Sequence, residues 1–100
     1  MPTYVTLHKL PPEKQTELAD ASESYERSKQ LVEAMGGDVV GTYYGSIGDY
    51  DAMTITEYPD AESAAKAKIA FDRTAESDAQ KFRVHTPEEY FDLIEDVVEE

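Results

Sequence analysis

One hundred residues with 40% hydrophobic content and no cysteine suffice for one core, and they exclude a disulfide framework or a thiolate metal site. Twenty-two acidic residues against nine basic ones, a net charge of −13, argue against nucleic acid, whose phosphates need clustered Lys and Arg, and against an anionic membrane surface. No apolar run approaches the ~20 residues of a membrane span and no signal-peptide core follows Met1-Pro2-Thr3-Tyr4, so the expected location is the cytoplasm.

In chain order, Thr3 to Lys9 alternates and is rich in β-branched and aromatic residues, which predicts a first strand. Pro11-Pro12 ends it, and Glu13 to Leu18 reads as a short helical turn. Asp20 with Glu23 has the form of a capping box for a first helix. Ala21, Tyr25, Leu31, Val32 and Met35 supply its apolar face, and Gly36-Gly37 stops it. A second strand is predicted from about Asp38 to Tyr44, then a turn over Gly45-Ser46-Ile47-Gly48, then a third strand from Tyr50 to Tyr58. Pro59-Asp60 ends that strand, and Asp60 caps a second helix over about Ala61 to Thr74. Lys81 to His85 reads as the fourth strand. Thr86-Pro87-Glu88-Glu89 combines a Thr cap, Pro at the first helical position and Glu three residues after the cap. It starts a last helix with Tyr90, Phe91, Ile94, Val97 and Val98 along one face.

The order is βαββαβ with a C-terminal helix. It predicts a single α+β domain over residues 1–100, of the ferredoxin-like kind, with an antiparallel sheet in the order 4-1-3-2. Both crossing helices should cover one sheet face, which is expected to take Val5, Leu7, Met53, Ile55, Phe82 and Val84. Alternation then assigns Tyr4, Thr6, His8, Tyr50, Ala52, Thr54, Thr56, Lys81, Arg83 and His85 to an open face. A second subunit's sheet can cap that open face and close a dimeric α/β barrel, so a homodimer or higher oligomer is expected.

His8, Tyr50 and Arg83 are the candidate pocket on the open face. His8 ends the first strand where the third and fourth should begin, so the three are expected to converge. An imidazole, a phenol and a guanidinium suit an organic acid or phenol, with His8 moving a proton and Arg83 clamping the anion. The plain alternative is that polar residues on a wet sheet face serve only solubility. His85 is expected at the opposite end, near Tyr4. Two separated histidines do not make a metal centre, and no cofactor is expected. Asp49 suits the turn beside Gly48, and Asp51 is read as bonding turn amides rather than as a catalytic acid. Tyr43 and Tyr44 point to opposite faces.

The opening Met1 to Leu7, Gly36-Gly37, Gly48-Asp49-Tyr50-Asp51 with the strand and Pro59-Asp60 that follow, and the closing Thr86-Pro87-Glu88-Glu89 resemble the GYD-domain family. Gly48, Tyr50 and Asp51 fall on its signature. The resemblance implies a fold similar to dimeric α/β-barrel proteins and carries no assigned function and no catalytic residues. His8, Thr54 and Thr56 depart from the family pattern. The expected function is that of a small cytoplasmic oligomeric α/β-barrel protein that binds a small molecule in an inter-subunit cavity. One alternative is a cofactor-independent monooxygenase- or isomerase-like enzyme, by fold analogy alone. The other is a structural or regulatory interaction module.

The carboxylates are dispersed through every segment, which suits a salt-rich, halophilic cytoplasm; an ordinary acidic mesophilic protein is the plainer source. Self-repulsion at this charge destabilises a compact chain, and salt screens it within ~10 Å at 0.1 M and ~3 Å at 1 M. The melting temperature should therefore rise by many degrees from dilute buffer to multimolar KCl. A near-neutral protein of similar size, melted in parallel, separates screening from the general strengthening of apolar burial by salt. Equal melting points at both salt concentrations would remove the case for a halophilic source.

Overall fold

A computed structural model describes residues 2–9, 21–74 and 78–98. The elements are β1 (Thr3–Lys9), α1 (Ala21–Ala34), β2 (Asp38–Ile47), β3 (Tyr50–Glu57), α2 (Ala61–Thr74), β4 (Asp78–Val84) and α3 (Pro87–Val98). The expected turn at Glu13–Leu18 and the expected cap at Asp20 lie outside the described residues. The chain is thus α+β, with one four-stranded antiparallel sheet ordered β2-β3-β1-β4. This is 4-1-3-2 counted from the other edge, so each crossover skips one strand.

The helix ends follow from their sequence. After α1, the Gly37 N–H donates to the Val32 carbonyl oxygen at 2.9 Å and the Gly36 N–H to that of Glu33 at 3.0 Å, with Gly36 at φ +86°. This is the paired 6→1 and 5→2 bonding of a Schellman cap, which needs a left-handed residue. At the start of α2 the Ser63 N–H donates to Asp60 Oδ1 at 2.7 Å, and that bond holds the carboxyl of Asp60 below its usual range. Before α3 the box closes both ways: the Thr86 N–H donates to Glu89 Oε1 at 2.9 Å and the Glu89 N–H to Thr86 Oγ1 at 3.2 Å.

Two strand limits differ from expectation. β2 continues to Ile47, through an irregularity between Tyr44 and Ile47, and the turn shrinks to Gly48-Asp49 between the paired Ile47 and Tyr50. Gly48 has φ +61° and, among the described residues, no non-glycine residue has positive φ, as a type II′ hairpin turn requires. β4 begins at Asp78, not Lys81, because Asp78, Ala79 and Gln80 pair with Lys9, His8 and Leu7. Main-chain pairing with the central strand outweighs the weak strand propensity of those residues.

The expected assignment of the sheet faces is reversed. The buried core is Val32, Tyr58, Ala64 and Ala67, with Tyr4, Met35, Val39 and Phe71 packed on it. Tyr4 and Val39 both pair with Thr56, so the Tyr4 row lies under the helices. Thr6, His8, Ala52, Thr54 and Lys81 follow by alternation. The face left open carries Val5, Leu7, Met53, Ile55, Phe82, Val84 and, beyond a bulge at Val40, Tyr43. The helices come close because their inward residues are small, and because a Cβ on Gly37 would lie 2.6 Å from the Tyr58 ring.

Two glycine substitutions separate steric from backbone cost in a urea titration. Gly37→Ala should lose about 1–3 kcal/mol, since the methyl overpacks Tyr58 and no positive φ is involved. At Gly48 a Cβ meets nothing within 4 Å, so Gly48→Val should lose about 1–2 kcal/mol through the backbone alone. Gly48→Asn should recover much of this, since Asn visits the left-handed region more readily. Equal stability of Gly48→Val and the unaltered chain would refute the turn.

Candidate functional site

Three places on the molecule carry possible chemistry, and the sheet register fixes each. On the open face, β1 presents Val5 and Leu7, flanked by Ile55 and Met53 from β3 and by Phe82 from β4. Phe82 is 43% exposed and Tyr43 57%; the rest are half-buried. This is an aliphatic and aromatic surface, and among the described residues no helix lies over it.

Beneath the helices lies a cluster of rings and cations. Tyr58 is 1% exposed and meets Tyr4 edge to face, with centroids 5.9 Å apart at 72°. Lys81 Nζ stands 4.9 Å from the centroid of each ring and donates to the Ala64 carbonyl oxygen at 3.0 Å, tying β4 to α2. Arg83 lies 5.8 Å from the Tyr4 ring. Burial pushes the Lys81 ammonium below its ordinary 10.5, nearby Lys68 adds to this, and Asp72 opposes it. Two ring faces and a carbonyl stand in for the water the ammonium loses. The cluster is thus accounted for as packing that joins the layers.

The third place is the hairpin end of the sheet. His8 pairs with Ala52 on one side and Ala79 on the other. It is half-buried, and burial lowers its imidazole from the ordinary 6.5. Beside it Lys9, Asp49, Tyr50, Ala79 and Gln80 line a cleft of ≈ 350 Å³, within the ~300–1,000 Å³ range of small-molecule sites. An amine, a carboxylate, a phenol and an amide there can hydrogen-bond a small polar molecule.

Of the expected trio, His8 and Tyr50 share this end and Arg83 does not. Arg83 pairs with Tyr4, four residues along β1 from His8, or about 13 Å at ~3.3 Å per residue. The early start of β4 causes the separation, since it brings Ala79 rather than Arg83 opposite His8. His8 also lies on the helix side, not on the open face. His85 follows Val84, which pairs with Thr3, so it sits at the Tyr4 end. Asp51 alternates with Ala52 and shares the side of Met53. Tyr43 and Tyr44 pair with Met53 and Ala52 and do take opposite faces. Lys9, Asp49 and Gln80 were not expected at a site. Asp49 reads as a turn former and Gln80 falls before the predicted strand, so only Tyr50 carried a signal. Among the described residues no group of three or more His, Cys, Asp or Glu could hold a metal ion. No helix among them is long and apolar enough to cross a membrane.

Among known proteins, the chain matches the family model described as GYD domain over residues 4–94. No curated protein and no solved structure matches the chain.

The burial of His8 has a pH signature. The unfolded chain takes up a proton on this imidazole near pH 6.5, and the folded chain only at lower pH. Stability contributed by neutral His8 is therefore present above pH 6.5 and is lost as pH falls through 6.5 toward the folded value. Chemical denaturation of His8→Asn beside the unaltered chain, from pH 8 to pH 5, should show the stability gap moving in favour of His8→Asn at the acid end. A pH-independent gap would place His8 in water. Carboxylate titrations are common to both proteins and cancel in the difference.

Proposed function

The chain belongs to the GYD domain family, and on that premise we propose that it is a self-associating α/β protein of the ferredoxin-like, dimeric α/β-barrel type that binds a small polar molecule beside the joint between subunits. The bare apolar sheet face carries this reading. Seven apolar side chains on the four strands share that face, two of them exposed and five half-buried in the single chain. Contiguous apolar surface of this kind marks an interaction site on a soluble protein. A second copy of the same face is self-complementary about a twofold axis. The cleft lined by Lys9, Asp49, Tyr50 and Gln80 opens at the rim of that face, so a ligand there would sit next to the partner sheet. Its groups are hydrogen-bonding ones, and binding is the activity they support.

Light scattering at micromolar concentration and high salt should give a mass of at least two chains. Leu7→Asp, which puts a charge at the centre of the face, should give a monomer with unchanged far-UV circular dichroism. A monomeric unaltered chain would overturn self-association. For the ligand, a set of small carboxylates and phenols titrated into labelled protein should shift the amide signals of Lys9, Asp49, Tyr50 and Gln80 together. Shifts elsewhere only, or none, would remove the cleft from the proposal.

A further inference from the structure

The last helix is the most exposed element of the molecule. None of its residues is buried. Tyr90, Leu93, Ile94, Val97 and Val98 recur at i, i+3, i+4, i+7 and i+8, one continuous stripe, and are 54%, 47%, 42%, 75% and 73% exposed. The capping box at Thr86 and Glu89 holds the helix where it leaves β4. The molecule measures 55 × 29 × 19 Å, and its radius of gyration of 15.4 Å exceeds the ~13 Å of a compact 100-residue domain. A helix of this amphipathicity is not stable alone at twelve residues, since isolated helices below ~12–15 residues are marginal in water.

We propose that α3 is an arm that lies on a second copy of the chain, its apolar stripe against the open sheet face along β4 of the partner. The proposal rests on the reading of that face as a subunit interface and adds what completes it. Four strands ~4.8 Å apart and about seven residues long at ~3.3 Å each offer roughly 400 Å², about half of the ~800 Å² per partner of a standard stable interface. A helix about 18 Å long laid across the partner, together with the strip it covers, supplies an area of the missing order.

Charge selects the sheet over the other apolar candidate, a second α3. Residues 87–98 contain Glu88, Glu89, Asp92, Glu95 and Asp96 and no Lys or Arg, so two such helices side by side repel. Twelve residues also fall short of two heptads, against the three or four of a coiled coil. The open face is uncharged at its centre. Along β4 that face presents Phe82 and Val84, while Lys81 and Arg83 turn to the helix side with Tyr4. An acidic helix along that edge meets uncharged side chains instead of its own charge.

The absence of cysteine makes cross-linking free of background. Phe82→Cys and Ile94→Cys change exposed positions. The two single variants, distinguishable by mass, are mixed at micromolar concentration in high salt and oxidised. A disulfide joining position 82 of one chain to position 94 of another is the expected product. A cross-link that forms only within one chain, in a protein carrying both changes, would overturn the arm, because α3 would then fold on its own sheet. So would a product joined only through position 94 of both chains. Lack of any cross-link in a protein that remains dimeric would overturn the arm and leave the sheet interface standing. A monomeric unaltered chain would overturn both. Without disulfides, Ile94→Glu should weaken self-association at least tenfold in light scattering while the far-UV spectrum stays the same; unchanged association would overturn the proposal.

Discussion

The seat of Tyr58 decides which way this molecule faces. Its ring is buried to 1% exposure, lies 2.6 Å from where a Cβ of Gly37 would be, meets Tyr4 edge to face and has the Lys81 ammonium 4.9 Å from its centroid. Its N–H donates to the Pro2 carbonyl oxygen at 3.0 Å, which pins the chain ahead of β1 as well. Only a glycine after α1 lets the helix end sink onto this ring, and only Ala64 and Ala67 on α2 leave room beside it. With Tyr58 and Tyr4 under the helices, every second residue of β1, β3 and β4 must follow them there. The aliphatic residues are then forced outward.

The energetic consequence is large. A fully buried Val, Leu, Ile, Phe or Met is worth about 1.5–3 kcal/mol. Six such side chains on the open face, taken at half value because strand neighbours already shield them, amount to about 5–9 kcal/mol. That equals the whole net stability of an ordinary domain, about 5–15 kcal/mol. Loss of translational and rotational freedom offsets part of the gain on association. The remainder still favours a chain that shares this face over one that leaves it wet.

Much of the fold could be read from local residues. Asp60, the pair Thr86 and Glu89, and Gly36 mark helix ends through contacts within four residues, and the helices begin and end there. The strand order follows from chain connection and crossover handedness. The reversed faces could not be read in this way. Alternation along β1 separates Tyr4, Thr6 and His8 from Val5 and Leu7 but does not say which set is covered. Hydrophobicity alone sends the aliphatic set inward. The contact that decides, Gly37 against Tyr58, spans more than twenty residues and has no periodic signature. The candidate site suffered from the same distance. Local pattern puts His8 at the hairpin end of the sheet, but its neighbours depend on three residues of weak strand propensity, Asp78, Ala79 and Gln80, joining β4 through main-chain pairing. The cleft residues Lys9, Asp49 and Gln80 come from three separate segments, and none is unusual in its own.

Acidity bears directly on the proposed assembly. Two chains together carry −26, twice the −13 of one, so association at low ionic strength works against charge as well as entropy. The proposed joint lessens that opposition by its composition. The sheet face holds no charge at its centre, while the carboxylates of α1, α2 and α3 sit on exposed helix surface. Repulsion then acts across solvent, where salt screens it over ~10 Å at 0.1 M, and not within the buried patch, where salt could not reach. Dissolved salt thus acts on the same equilibrium from two sides: it relaxes the repulsion between chains and strengthens burial of the aliphatic face. In the proposed assembly the ionic strength of the surroundings would set how firmly a partner is kept on the apolar strands.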